Sequence, residues 1–365
     1  MDPRIREHAE IIVDHSTDLE EGDTVTIVAP AVAEDLVVAL HEAIGDRGGT
    51  PLYLNSSSRA ERAYLRARGE DFETPAHHQA MIEETDAYVA IRADLNATET
   101  GDVDPETTSD YSRAMQPIRE ERLSKRWCLT QYPAPSNAQL AQMSTEEYEN
   151  FVWDATIKDW NEQREHQEQM VEILDPADEV RIKSGEETDL TMSLAGNYTL
   201  NDYGEKNLPG GEVFTAPVCE SVEGSVLFDK PLYHRGREIE GVFLTFREGK
   251  VVEHSAEKNE EYLSELLDTD EGARYLGELG IGMNRDIDRF TYNMLFDEKM
   301  GDTVHMAIGM AYKECVGEGQ EGQEANESAI HVDMIVDMAE ESFIEVDGEV
   351  VQRDGLFVFE DGFEE

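Results

Sequence analysis

Lysine is nearly missing from this chain. Nine lysines stand among 30 basic residues, against 82 Asp and Glu, and the formal charge is −52 over 365 residues. Such a surface repels phosphate backbones and anionic headgroups, which argues against nucleic acid or a membrane as partner. Cysteine is scarce as well. Cys128, Cys219 and Cys315 are odd in number and far apart, with no zinc-ribbon or redox spacing, so reduced intracellular thiols are expected. The start MDPRIREHAE has no apolar signal core, and no apolar run approaches the length that spans a bilayer, so the expected location is the cytoplasm. Glycine is missing where a nucleotide would need it. The turn after the first predicted strand reads Ala29-Pro30-Ala31-Val32-Ala33, which excludes a dinucleotide fingerprint and a P-loop there.

What is present can fold. Hydrophobic residues make up 39% of the chain, with 13 Tyr and 12 Phe, enough for a core and too much for a disordered acidic protein. The length suits two domains. The acid is spread along the whole chain, so self-repulsion should weaken the fold in dilute buffer. Molar salt shortens the Debye length to ~3 Å and removes most of that penalty. The charge therefore reads as a solvated surface suited to a salty cytoplasm.

The first half alternates helix and strand. Residues 2–15 carry Ile5, Ile11 and Ile12 among charges, as an amphipathic helix does. Strands are predicted at 24–29 (TVTIVA), 50–54, 86–91 (DAYVAI) and 126–131 (RWCLTQ), with a helix at 33–44 ending at Gly45. This alternation predicts an α/β domain with an open, mostly parallel sheet. Pro133-Ala134-Pro135 makes a rigid loop, and Ser144 with Glu147 a capping box for the next helix. That helix and its continuation run to about residue 173, and Asp175-Pro176 is the expected boundary. Residues 1–175 would be a scaffold or lid and 176–365 the catalytic domain. His77-His78 reads as a solvated helix start, because none of the N-terminal histidines has a second ligand at metal spacing.

Past the boundary the texture changes to short strands, at 179–182, 188–194, 213–216, 225–228, 241–247 and 250–254. Glu248-Gly249 and Asp347-Gly348 suit two-residue hairpin turns, and one helix is expected at 258–267. The prediction is a β-rich α+β domain, antiparallel and partly barrel-like.

Three segments there carry chemistry. In residues 301–337, GDTVHMAIGMAY and SAIHVDMIVDM flank a glycine- and glutamate-rich loop. His331 and Asp333 are two apart in a strand-like run, so they share a face while Val332, Met334 and Val336 share the other. His305 stands in the first apolar segment, seven residues before Tyr312. In NLPGGEVFTAP, a proline and two glycines deliver Glu212 to the mouth of a strand. In LGELGIGMN, Glu278 sits inside an apolar run, a costly place for a carboxylate without a partner. Imidazoles with carboxylates form a mixed N,O ligand set that suits Zn, Co, Mn or Mg, and two ions better than one. Two ions about 3.5–4 Å apart acidify a water and polarise a carbonyl. With Tyr312 to donate to a developing oxyanion, the chemistry expected is amide hydrolysis.

At these residues the sequence resembles the aminopeptidase T/aminopeptidase S metallopeptidases, often called thermophilic metalloproteases. The likeness runs from AEIIVDHSTDLEEGDTVTIVAP through RWCLTQYPAP and QMSTEEY. It is densest in NLPGGEVFTAP, LGELGIGMN, FDEKMGDTVHMAIGMAY and SAIHVDMIVD. The resemblance implies metal ligands at Glu212, Glu278, His305, His331 and Asp333, and an active-site tyrosine at Tyr312. It also implies two divalent metals, a homodimer, and removal of amino-terminal residues from peptides. A glutamate not fully committed to metal, Glu212 or Glu278, is the candidate to carry the proton. Two features depart from the family pattern. Lys299-Met300-Gly301-Asp302 replaces a shorter Asn-Ala-type link, and Asp337 stands where glycine is usual. The scaffold is also similar to that of 2,5-dihydroxypyridine dioxygenase, in which two His and one Asp hold a single iron. His305, His331 and Asp333 could serve that way, but Glu212 and Glu278 would then have no role.

Overall fold

The computed structural model describes residues 1–234, 236–317 and 324–364. The glycine- and glutamate-rich loop expected between the two histidine segments lies in part, at 318–323, outside the described residues. The chain forms two compact units. One comprises Met1–Lys158 with Gly204–Gly210, the other Asp159–Tyr203 with Gly211–Glu365.

The first unit is built on a parallel sheet in the order Thr50–Ser56, Thr24–Pro30, Ala87–Arg92, Arg126–Gln131, Asn207–Leu208. Val25, Thr26 and Ile27 are consecutive and all buried on the interior strand, as a sheet covered on both faces requires. The α/β expectation holds, with the predicted strands near their observed places. The expected first helix is split into Pro3–Ile11 and a π turn at Ile12–Ser16. The helix Glu34–Asp46 runs through Gly45 rather than stopping there. Ser144 caps Thr145–Thr156, its Oγ accepting from the Glu147 N–H at 3.2 Å. The fifth strand, Asn207–Leu208, comes from later in the chain. Two residues carry no periodicity, and it was not foreseen.

Among the described residues the second unit has a two-stranded antiparallel ribbon, Leu232–His234 with Arg237–Ile239, and two bigger antiparallel sheets. The larger runs in the order Lys250–Ser255, Val242–Arg247, Glu223–Phe228, Thr188–Ser193, Glu179–Ser184, Ser342–Val346, Glu349–Arg353, Leu356–Phe357. The smaller runs His331–Asp337, Thr303–Gly309, Leu276–Gly282, Glu212–Thr215, Leu200–Asp202. One hydrophobic cluster joins them. It takes Val180, Leu190, Val226 and Ile344 from the larger sheet and Val213, Leu279, Ile281, Val304, Met306, Val332 and Met334 from the smaller. The helix Trp160–Leu174 belongs to this unit, although the sequence reading put the division after it, near Asp175. Met170, Val171 and Leu174 are part of the same core. The Gln167 side-chain amide also donates to the Glu212 carbonyl at 2.8 Å.

Candidate metal centre

The alternation that sends Val304, Met306 and Ile308 into the core turns His305 to the other face of the smaller sheet. His331 and Asp333 face the same way, their neighbours Val332 and Met334 being in the core. So does Glu212, which precedes the core residue Val213. Glu278 needs one more device. Leu276 and Glu278 would share a face at a period of two, yet Leu276 is in the core. A bulge between them, at Gly277, re-aims the carboxylate onto the histidine face. Gly280, opposite His305 in the register, leaves room for the imidazole: a Cβ there would lie 2.0 Å from His305 Nε2.

All five residues singled out in the sequence therefore meet on one face. His305 Nε2 lies 3.1 Å from Glu212 Oε2 and 3.3 Å from Glu278 Oε1. His331 Nε2 lies 3.4 Å from Glu278 Oε2 and 3.4 Å from Asp333 Oδ1. Among the described residues, two groups bring ligand atoms within 4.8 Å of one another: Glu212, Glu278, His305, and Glu278, His331, Asp333. Glu278 belongs to both. Tyr312 stands beside them, half exposed, its ring 5.2 Å from that of His331 and 5.8 Å from Phe214.

The electrostatics call for positive charge. Burial opposes a proton on His305, but Glu212 and Glu278 outweigh it and hold that proton well above the usual imidazole range. His331 is pushed up to about 10 against its burial, by Asp333 and Glu278. Asp333 is pushed down to about 2, again against burial, by His331. Glu278 is raised, chiefly by burial. Burial and the neighbouring carboxylates keep the Tyr312 hydroxyl protonated, hence a donor.

The donor set fits divalent ions. Glu212 Oε2 and Glu278 Oε2 are buried and accept no hydrogen bond, a costly state for carboxylates that a cation relieves. His331 Nδ1–H donates to the Met310 carbonyl at 2.8 Å, which fixes the ring and turns Nε2 towards the carboxylates. Mixed imidazole and carboxylate donors are the borderline-hard set expected for Zn, Co or Mn.

Two further residues at the centre were not foreseen. Lys299 is fully buried, its Nζ 2.9 Å from Glu212 Oε1 and 3.7 Å from Asp202 Oδ2, and it also pairs with Glu298. Burial pushes Glu298 up to about 8, opposed by Lys299. The available signal was a lysine next to an apolar strand in a chain that hardly uses lysine. Asp337 lies at the end of the His331 strand and pairs with Lys230 at 2.6 Å.

Comparison with known proteins agrees with this architecture. The family model described as thermophilic metalloprotease (M29) matches residues 1–363. Aminopeptidase T of Thermus aquaticus is 31% identical over 385 residues, 93% of this chain and 93% of that protein. The solved structure of wild-type AmpT from Thermus thermophilus superposes with a TM-score of 0.85 at 29% identity, covering 97% of this chain and 99% of that one. A 2,5-dihydroxypyridine dioxygenase from Pseudomonas putida reaches a TM-score of 0.61 at 14% identity, covering 98% and 97%, a likeness of fold alone.

Proposed function

The chain belongs to the thermophilic metalloprotease (M29) family and is a metal-dependent aminopeptidase, a hydrolase of peptide bonds; we propose that it acts through two divalent ions. Glu212, Glu278 and His305 would hold one, and Glu278, His331 and Asp333 the other. The observation that carries this reading is the double membership of Glu278, which turns one oxygen to each group. Zn, Co, Mn or Mg suits the donors.

Ions bound there supply an acidified water and a polarised scissile carbonyl. The residues of the chain do the rest. Glu278 sets the spacing of the two groups and fixes both rings. Tyr312 offers its hydroxyl proton to the substrate's carbonyl oxygen as negative charge develops on it. Glu212 or Glu278 carries the proton from water to the leaving amine. All these side chains lie in the second unit, so the first is proposed as scaffold or lid.

The substrate proposed is a peptide with a free amino terminus. Electrostatics support a salty cytoplasm as the working medium and disfavour nucleic acid or membrane as partner. A homodimer is proposed from the family resemblance.

The test is hydrolysis of leucine p-nitroanilide in high salt. Metal-stripped protein should be silent and should recover with Co, Mn, Zn or Mg, while the N-acetylated substrate should stay intact. Silence with every one of these ions would contradict the proposal.

A further inference from the structure

The two halves of the centre are not equivalent. Lys299 has no exposed surface, and among the described residues its ion pairs are with Glu212, Asp202 and Glu298. Three carboxylates around a buried ammonium keep it charged. Its Nζ holds Glu212 Oε1 at 2.9 Å, while Oε2 of the same carboxylate faces His305 at 3.1 Å. Glu212 thus has one oxygen left for an ion, and a fixed cation behind it. Among the described residues no ion pair of Lys299 reaches Glu278, His331 or Asp333, and its charge acts on Asp333 only at longer range, behind His331 and His305.

The imidazoles differ in the same sense. His331 Nδ1 is tied to the Met310 carbonyl, which strengthens Nε2 as a donor. His305 Nδ1 is buried without a hydrogen bond.

Resting on the two-ion reading above, we propose that Lys299 makes the centre unequal: its ammonium weakens the site at Glu212, Glu278 and His305, leaving the site at Glu278, His331 and Asp333 the tighter. A unit charge a few ångströms from a divalent ion, shielded from water, repels it strongly. The charge also offsets Glu212 and Asp202, whose field would otherwise draw the ion in. Lys299 is a positioning residue in this account: it touches a ligand, not the substrate. The enzyme would fill its second site only when free metal is plentiful, so activity would follow metal supply.

The experiment is a Co(II) titration of metal-stripped full-length protein, read by the d–d absorption bands and by bound metal after dialysis. The wild type should fill in two steps separated by at least about tenfold in Kd. Lys299→Met keeps the length of the side chain and removes its charge. Its second step should tighten by about tenfold or more, with the first nearly unmoved. The metal-free variant should melt lower than the wild type and gain more on adding Co(II), because tighter binding to the folded state stabilises it more. A merely space-filling Lys299 would not produce that extra gain. Lys299→Gln serves if the Met variant does not fold without metal. Two equal steps in the wild type, or an unchanged or weaker second step in the variants, would overturn the inference while leaving two ions in place. Saturation at one ion per chain in both proteins would instead overturn the two-ion centre, and the inference with it.

Discussion

Each carboxylate oxygen of Glu278 faces a different imidazole: Oε1 lies 3.3 Å from His305 Nε2, and Oε2 lies 3.4 Å from His331 Nε2. The proposed two-ion centre would need this arrangement of a shared ligand. Glu278→Gln keeps the shape and removes the charge, so both ion sites should suffer. Bound metal should fall below two ions per chain and hydrolysis by about 100-fold or more. His331→Ala should cost one ion and a comparable loss of rate. Full metal content and full activity in both variants would contradict the assignment.

Glycine at 280 is required by the ring opposite it. Any Cβ there would meet His305 Nε2 at 2.0 Å, so Gly280→Ala should abolish binding at the Glu212–Glu278–His305 site with the circular dichroism spectrum retained. Gly45 supplies the contrast. It lies inside the helix Glu34–Asp46 with open space where a Cβ would go, so Gly45→Ala should stabilise the protein by about 0.5–1 kcal/mol. Bound metal after dialysis checks the first, and denaturant titration the second.

Acid sensitivity should come in part from His8. The Thr130 hydroxyl donates to the Leu208 carbonyl at 2.7 Å, so His8 Nε2, 2.8 Å away, must carry the proton between them. Nδ1 is then a buried acceptor, and burial pushes the imidazole down to about 3. The unfolded chain binds this proton below about pH 6.5 while the folded chain refuses it until about 3. Stability from this group is therefore complete above pH 6.5 and falls by about 1.4 kcal/mol for each unit below it. His8→Gln, which can still donate to Thr130, should flatten the acid limb of a stability–pH curve. An unchanged limb would contradict the account.

Salt should stabilise the fold. With a formal charge of −52, the melting temperature should climb from dilute buffer to the molar range, where the Debye length falls to ~3 Å. Identical melting in both conditions would exclude charge repulsion as a major term.

The parts of this molecule legible in the sequence are those that depend on local pattern. Strand Thr24–Pro30 shows as an apolar run, and the faces of His331–Asp337 follow from a period of two. Glu278 stands out because a carboxylate in an apolar run is costly without a partner, and His305 as the one histidine of an apolar, strand-like segment. What stayed hidden depends on distant contacts. The bulge at Gly277 that turns Glu278 outward is a matter of register with the Thr303–Gly309 strand. Asn207–Leu208 joins the parallel sheet through pairing with Arg126–Gln131 alone. Lys299 reads as a surface lysine until Asp202 and Glu212, far away in sequence, close over it. The helix Trp160–Leu174 looks like a connector until its apolar face is seen in the core of the second unit.

The most direct measurement is anomalous diffraction from crystals of the protein grown with Co(II) or Mn(II). The account predicts two peaks, one bonded by Glu212, Glu278 and His305, the other by Glu278, His331 and Asp333, with Glu278 shared. A single peak held by His305, His331 and Asp333, with both glutamates uncoordinated, would contradict it and indicate a mononuclear centre.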